Sequence, residues 1–205
     1  MGERPSARDE ILAGVRRALE HADTAPVTVP RGYRSTAAAD AATVDLFAER
    51  VADYRATVVR CSPDEVQARI AEALPPGRTL VPDGLPWWVP DGVVDEHTPG
   101  GLPHADLDDL GAVVTAATVG IAATGTVVLS HGPGEGRRAL SLVPDVHVCV
   151  IRADQVVSDV PDAVARLDPS RPTTWISGPS ATSDIELNRV EGVHGPRTLH
   201  VIVVG

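Results

Sequence analysis

The 205-residue sequence contains no lysine, so all 18 of its basic residues are arginine. The absence of lysine excludes Schiff-base and pyridoxal-phosphate chemistry, and it excludes the P-loop, whose lysine binds nucleotide phosphates. Aspartate and glutamate together number 28, which gives the chain a formal net charge of −10. Because affinity for nucleic acid comes largely from cations that neutralise phosphates, we expect no nucleic-acid partner.

Aromatic residues make up only 3% of the chain, and no apolar run approaches the roughly 20 residues of a membrane-spanning helix. The N-terminus is charged rather than signal-like, so we expect a cytoplasmic protein. The two cysteines, Cys61 and Cys149, each lie in an apolar, strand-like run. We interpret both as buried, unreactive thiols, with a disulfide between them as the alternative. Two thiols are too few for an iron–sulfur cluster and the histidines lack zinc-site spacing, so we predict no metal site.

The chain is predicted to have an N-terminal helix and linker over residues 1–40 and one α/β domain over residues 41–205. Ser6 and Asp9 have the spacing of a capping box at the start of the first helix. Further helices are predicted over residues 41–53, 62–74 and from 153 or 159 to 167. Strands are predicted over residues 57–59, 78–81, 93–94, 111–119, 125–130, 146–151, 173–177 and 199–204. This alternation predicts an α/β fold, an open mixed sheet flanked by helices, with an N-terminal helical extension.

Three glycine-rich segments follow predicted strands, which is where α/β sheets tend to bind ligands. The first, residues 119–126, has small residues that let backbone amides approach a ligand, although the sequence favours a bulged turn between two strands. The second, residues 131–138, has a Gly-x-Gly-x-Gly spacing, but Pro133 removes a backbone donor and a flexible hairpin loop is favoured. Arg137 and Arg138 in this segment are candidates for binding a carboxylate or a phosphate.

The third segment, residues 176–186, has the residues of a helix N-terminus, whose free N–H groups can hold an anion. In the alternative interpretation, Asp184 and Glu186 cap the same N–H groups. A second glycine-rich turn, residues 192–196, exposes His194 before the last strand. The chain has no Gly-x-Ser-x-Gly motif, and no catalytic residue is assigned. The predicted ligand-binding residues are Gly120, Thr124, Gly125, Thr126, Ser177, Gly178, Pro179, Ser180, Asp184, Glu186, His194 and Gly195.

Four runs of sequence resemble the LUD-domain family: residues 120–126, 140–147, 176–186 and 192–201. The resemblance implies a fold similar to the NagB/RpiA/CoA-transferase group and a role in the oxidation of L-lactate to pyruvate. It also implies iron–sulfur oxidoreductase partners, which carry the clusters, and a small carboxylate or phosphate ligand, with no cofactor bound by this chain. Because lysine is absent, arginines must supply the positive charge at such an anion site. The candidate arginines are Arg137, Arg138, Arg189 and Arg197.

One position departs from the family. Relatives commonly have an acidic residue in the Gly-Ile-Ala-x-Thr-Gly-Thr loop, where this chain has Ala123. The missing carboxylate argues against catalysis by this loop and favours ligand binding or a structural role. Two other functions stay open: an independent enzyme of the sugar-phosphate isomerase or CoA-transferase kind, and a pure interaction subunit. The interaction subunit would dock through its N-terminal helix and an exposed Trp87–Trp88 pair.

Overall fold

The computed structural model describes residues 6–23, 25–30, 32, 40–95, 101–103, 106–107, 109–182, 190–191 and 195–205. The chain divides into two compact units, residues 1–33 and residues 34–205. In the first unit, helix α1 (Ala7–Leu19) starts at a capping box between Ser6 and Asp9, which confirms the predicted start. Within the described ranges, no helix has both the length and the apolar character needed to cross a membrane.

Helices and strands alternate through the second unit, as the sequence predicts. The strands are β1 (Thr57–Cys61), β2 (Thr79–Pro82), β3 (Gly92–Asp95), β4 (Ala112–Ala116), β5 (Val119–Ile121), β6 (Thr126–Leu129), β7 (Val146–Arg152), β8 (Val156–Val157), β9 (Thr174–Ile176), β10 (Ala181–Thr182), β11 (Val190–Glu191) and β12 (Thr198–Val204). The helices are α2 (Ala41–Asp53), α3 (Val66–Ala73) and α4 (Val160–Arg166), with 3-10 turns at Pro63–Glu65, Arg138–Ser141 and Ala153–Gln155. The capping residues Asp40 and Asp159 place the starts of α2 and α4 where the sequence predicts them.

Six parallel strands form the main sheet, in the order β1-β12-β7-β4-β2-β3. This sheet and its flanking helices confirm the predicted α/β class. Strand β3, the next strand in the chain after β2, lies beside β2 toward one edge of the sheet. Strand β7, the next strand of this sheet after β4, lies beside β4 toward the opposite edge. The strand order therefore reverses between β2 and β4, which is the position at which open α/β sheets usually bind ligands, outside the carboxyl ends of the strands.

A second, four-stranded sheet has the order β8-β5-β6-β9 and contains the mixed pairing. Strand β6 is antiparallel to β5 and to β9, whereas β5 and β8 are parallel. The predicted strand over residues 111–119 is divided between the two sheets, because the chain leaves the main sheet after Ala116. The backbone N–H of Thr118 already donates to the carbonyl of Val128, at 2.9 Å, in the second sheet.

The central strands of the main sheet are buried on both faces, as is usual for parallel sheets. One face packs against α2 and the second sheet, and the other packs against α3. The first core consists mainly of Phe47, Val51, Val127, Leu129, Cys149, Ile151, Leu199, Val201 and Val203. The second consists mainly of Val66, Ile70, Val81, Val114, Val148, Val150, Ile202 and Val204. Cys61 and Cys149 are buried and unpaired, which confirms their interpretation as core thiols, and burial raises the pKa of Cys149 to about 12.

Candidate functional site

A cavity of about 240 Å³ lies at the amino-terminal ends of β7 and β12, beside strand β9 of the second sheet. The cavity therefore lies at the edge opposite the carboxyl ends of the strands. Open α/β sheets usually bind ligands at the carboxyl ends. The cavity is lined by Arg138, Ser141, Leu142, His147, Thr174, Trp175, Ile176, Ser177, Gly178, Pro179, Ser180, Gly195, Pro196 and Leu199. A guanidinium, hydroxyls and an imidazole therefore share one small, partly apolar space, which is the composition typical of a small-molecule site.

A loop fills the position at which the sheet rule would place a ligand. The N–H of Gly134 donates to the carbonyl of Asp83, which follows β2, at 2.7 Å. The carbonyl of Gly134 accepts from Ala116, the last residue of β4, at 2.8 Å. Residues 131–137 thus cover the reversal point between β2 and β4.

The covering loop is held by a buried carboxylate and a histidine in the left-handed region. Glu135, 7% exposed, accepts hydrogen bonds from the Thr118 hydroxyl at 2.6 Å and from the Ser130 N–H at 2.5 Å. His131 has a φ of 55°, and its two ring nitrogens lie 2.8 Å from the carbonyl oxygen of Gly136 and 2.9 Å from Oγ1 of Thr174. The segment predicted as a flexible hairpin loop is therefore a closely bonded one.

Five of the predicted ligand-binding residues line the cavity. They come from the loop after β9 and from the loop before β12, and the Ser180 N–H joins the two loops by donating to the carbonyl of Pro196 at 2.8 Å. Gly178 has a φ of +84°, and a Cβ there would lie 2.7 Å from the Cβ of Tyr54. Only glycine fits this turn. The five residues are Ser177, Gly178, Pro179, Ser180 and Gly195.

The first glycine-rich segment lies outside the cavity lining. Residues 122–125 form the turn of the β5–β6 hairpin, which agrees with the interpretation as a turn between strands. A Cβ at Gly120 would lie 2.8 Å from Cδ1 of Ile151, and one at Gly125 would lie 2.5 Å from the backbone of Arg50. Both glycines are thus explained by packing. Ala123 is exposed on this turn.

The threonines of that hairpin nevertheless reach the cavity wall through hydrogen bonds. The Thr124 and Thr126 hydroxyl oxygens lie 2.7 Å apart, and Thr126 lies 2.8 Å from the hydroxyl of Ser177, which lines the cavity. The structure therefore links the first and third predicted segments in one chain of hydroxyl groups.

Three predicted residues, Asp184, Glu186 and His194, lie outside the described residues. The sequence predicts a helix N-terminus over the third segment. The part of it that the structure describes at residues 181–182 is instead strand β10, which pairs antiparallel with β11.

The candidate arginines differ in their partners. Arg137 donates to the carboxylate of Asp95 at 3.1 Å and to the carbonyl of Leu102, so it holds the covering loop. Arg197 pairs with Asp145 at 2.6 Å. Arg138 is exposed, lines the cavity and forms no ion pair within the described part of the chain. Arg138 is therefore the cation available to a ligand, and Arg189 lies outside the described residues.

His147 is the site residue that sequence reasoning missed. It occupies the second position of β7, is 1% exposed, and its Nε2 lies 2.7 Å from Oγ1 of Thr115 in β4. Burial lowers its pKa to about 4, so the ring is neutral at pH 7. A histidine in an otherwise apolar strand is the signal that could have identified it, but its partner depends on strand register.

No group of three or more histidine, cysteine, aspartate or glutamate side chains is arranged to hold a metal ion in the part of the chain that the structure describes.

The fold and this cavity define an α/β protein with a small, partly apolar site at the amino ends of its central strands. The LUD domain matches residues 104–204. The chain is 44% identical over 205 residues to a Deinococcus radiodurans protein named Lactate utilization protein C, covering 97% of this chain and 96% of that one. A crystal structure of a DUF162 family protein from Deinococcus radiodurans is 42% identical, with a TM-score of 0.68, and covers 80% of this chain and 98% of that chain.

Another relative, named Lactate utilization protein C from Halalkalibacterium halodurans, is 34% identical over 119 residues, which is 53% of this chain and 50% of that one. This chain belongs to the LUD domain family, which confirms the resemblance seen in its sequence.

Proposed function

We propose that this protein is a component of L-lactate utilization, the oxidation of L-lactate to pyruvate, and that it binds a small carboxylate in the cavity beside Arg138. The role in lactate utilization is supported by the 44% identity to a protein named Lactate utilization protein C along nearly the whole of both chains. The ligand part depends on one observation: Arg138 lines the cavity and has no ion-pair partner among the described residues.

The chemistry of the cavity favours a carboxylate. A guanidinium binds a carboxylate through two parallel charge-assisted hydrogen bonds. The chain as a whole carries a net charge of −10, so its long-range field repels anions and the site needs a local cation. The cavity of about 240 Å³ is smaller than most drug-sized sites, which favours a compact ligand such as lactate or pyruvate over a whole coenzyme A molecule.

No observation favours the alternative of an independent CoA transferase. Transfer through an acyl-carboxylate intermediate needs an available carboxylate nucleophile. The hairpin turn offers the exposed Ala123 instead. Glu135 already accepts two short hydrogen bonds under the covering loop and does not line the cavity.

Calorimetry on the full chain at pH 7 tests the ligand part, with L-lactate, pyruvate, inorganic phosphate and coenzyme A as probes. We expect L-lactate or pyruvate to bind, and Arg138→Gln to weaken that binding at least about tenfold, because charged hydrogen bonds are lost. Arg152→Gln is the matched control, since it makes the same charge change at the opposite end of β7. Silence toward every probe, or equal binding by Arg138→Gln and wild type, would overturn the ligand part.

We further propose that the iron–sulfur clusters of the pathway lie on partner proteins that dock near Trp88. Trp88, 68% exposed, and Val94, 51% exposed, line one groove on the surface. Trp87 is partly buried and packs against the core between the main sheet and α3. Exposed tryptophan is enriched at interface hot spots. Trp88→Ala should reduce co-purification of iron–sulfur lactate-oxidation subunits, while Val164→Ala on α4, 55% exposed, should not. Retention of the subunits by Trp88→Ala would exclude docking at this surface.

A further inference from the structure

One nitrogen of an imidazole at the cavity wall has no hydrogen-bond partner among the described residues. His147 is 1% exposed and its Nε2 lies 2.7 Å from Oγ1 of Thr115, but its Nδ1 makes no hydrogen bond to the described part of the chain. The ring lines the same cavity as Arg138. Nδ1 is therefore the ring atom that can bond a ligand held in the cavity.

A ligand carboxylate and a neighbouring oxygen would satisfy both groups. Arg138 provides the cation for the carboxylate, and His147 lines the same cavity, so a substituent on the adjacent carbon can meet the ring. A carboxylate without an oxygen at that carbon leaves Nδ1 unpaired, and sites built to bond an oxygen discriminate strongly against analogues that lack it.

We propose that His147 is the specificity-determining residue of this cavity, that its Nδ1 hydrogen-bonds the C2 oxygen of a 2-hydroxycarboxylate or 2-oxocarboxylate, and that Thr115 positions the ring. This inference rests on the proposed function, because it requires that a small carboxylate binds beside Arg138.

The ring is suited to this recognition because burial keeps it neutral at pH 7, with its pKa lowered to about 4. A neutral imidazole has one donor and one acceptor nitrogen, and the partner of Nε2 decides which is which. The Thr115 hydroxyl can donate or accept at Nε2. If Nδ1 is the acceptor, the ligand must donate from a hydroxyl. If Nδ1 carries the proton, it can donate to either a hydroxyl or an oxo oxygen.

Binding of L-lactate, pyruvate and propionate to the full chain at pH 7 tests the role of His147, because propionate has no oxygen at C2. We expect wild type to bind L-lactate, pyruvate or both at least about tenfold more tightly than propionate. His147→Phe, which keeps a planar ring, should remove this preference and leave propionate binding within about twofold of wild type. A preference that survives His147→Phe overturns the role of His147 and leaves the Arg138-dependent carboxylate site standing. Absence of binding by all three probes overturns both proposals.

Nitrogen NMR of the intact protein provides a second measurement in case His147→Phe fails to fold. The His147 resonance is recognised as the imidazole that stays neutral when exposed histidines protonate. Its Nδ1 shift should move on addition of L-lactate or pyruvate and stay in place with propionate. An Nδ1 shift that ignores all three probes, although calorimetry detects binding, overturns the proposal.

Thr115→Val and Thr115→Ser test the positioning role. Valine keeps the shape of threonine but removes the hydroxyl at Nε2, so we expect a changed tautomer pattern at His147 and loss of at least half of the preference for a C2 oxygen. Serine retains the hydroxyl and should restore both. An unchanged tautomer pattern in Thr115→Val would exclude Thr115 as the positioning residue.

Discussion

The hydroxyl oxygens of Thr126 and Ser177 lie 2.8 Å apart, although 51 residues separate them in the chain. Thr126 begins β6 and Ser177 follows β9, so this bond joins the hairpin of the second sheet to the loop that lines the cavity. Thr124 extends the same network at 2.7 Å from Thr126. The hairpin therefore supports one wall of the cavity without lining the cavity itself.

A double-mutant cycle measures this link. Thr126→Val and Ser177→Ala each remove one partner of a part-buried hydrogen bond, so we expect their effects on the free energy of unfolding to couple by about 0.5–1.5 kcal/mol in urea titrations. Thr126→Val combined with Ser170→Ala is the control, because Ser170 is exposed and its only hydrogen bonds within the described residues are to Asp168. Additive effects in the Thr126–Ser177 cycle would show that the bond contributes nothing.

The buried Glu135 carboxylate should stabilise the loop over β2 and β4. The Glu135 carboxylate accepts two short hydrogen bonds, and Glu135→Gln replaces one of its oxygens with an NH2 group that cannot accept. We therefore expect a loss of about 2 kcal/mol in the free energy of unfolding. Glu49→Gln on α2 is the control, because Glu49 is exposed and should change stability by less than about 0.5 kcal/mol. Equal melting temperatures for the two variants would contradict an anchoring role for Glu135.

Local patterns predicted the elements of this fold well. The Ser6 cap, the starts of α2 and α4 and the apolar strand runs depend on a few neighbouring residues, and each is where the sequence predicts it. The division of residues 111–119 between two sheets was not predictable, since it depends on a hydrogen bond from Thr118 to a later strand.

The candidate site was only partly predictable, because some of its features are local in sequence and others depend on strand register. Glycine and serine in residues 177–180 mark a turn locally, whereas the pairing of His147 with Thr115 depends on the register of β4 against β7. The position of the cavity was not foreseen either, because the loop that covers the reversal point is fixed by contacts such as Gly134 with Asp83. Long-range register, rather than composition, decides where this site lies.

Gly178 is required for the shape of the loop that lines the cavity. Gly178→Ala places a Cβ 2.7 Å from Tyr54 at a φ of +84°, so we expect a loss of at least about 1–2 kcal/mol in stability together with weaker ligand binding. Gly111→Ala is the control, because a Cβ there meets no atom within 4 Å. Urea unfolding and calorimetry of both variants check this. A Gly178→Ala protein as stable as Gly111→Ala would contradict the close approach to Tyr54.

The buried His147 should make stability depend on pH between 7 and 5. Its pKa is lowered from 6.5 to about 4 in the folded chain, so between those values the unfolded chain binds the additional proton and acid favours unfolding. From pH 7 to pH 5 we expect a loss of about 2 kcal/mol from this group, with no contribution from it above about pH 7. His147→Gln should flatten the dependence measured by urea unfolding, whereas His200→Gln, which removes a half-buried imidazole whose pKa burial also lowers, should leave most of it. If wild type and His147→Gln lose stability equally over this range, the ring is not neutral and buried as the structure places it.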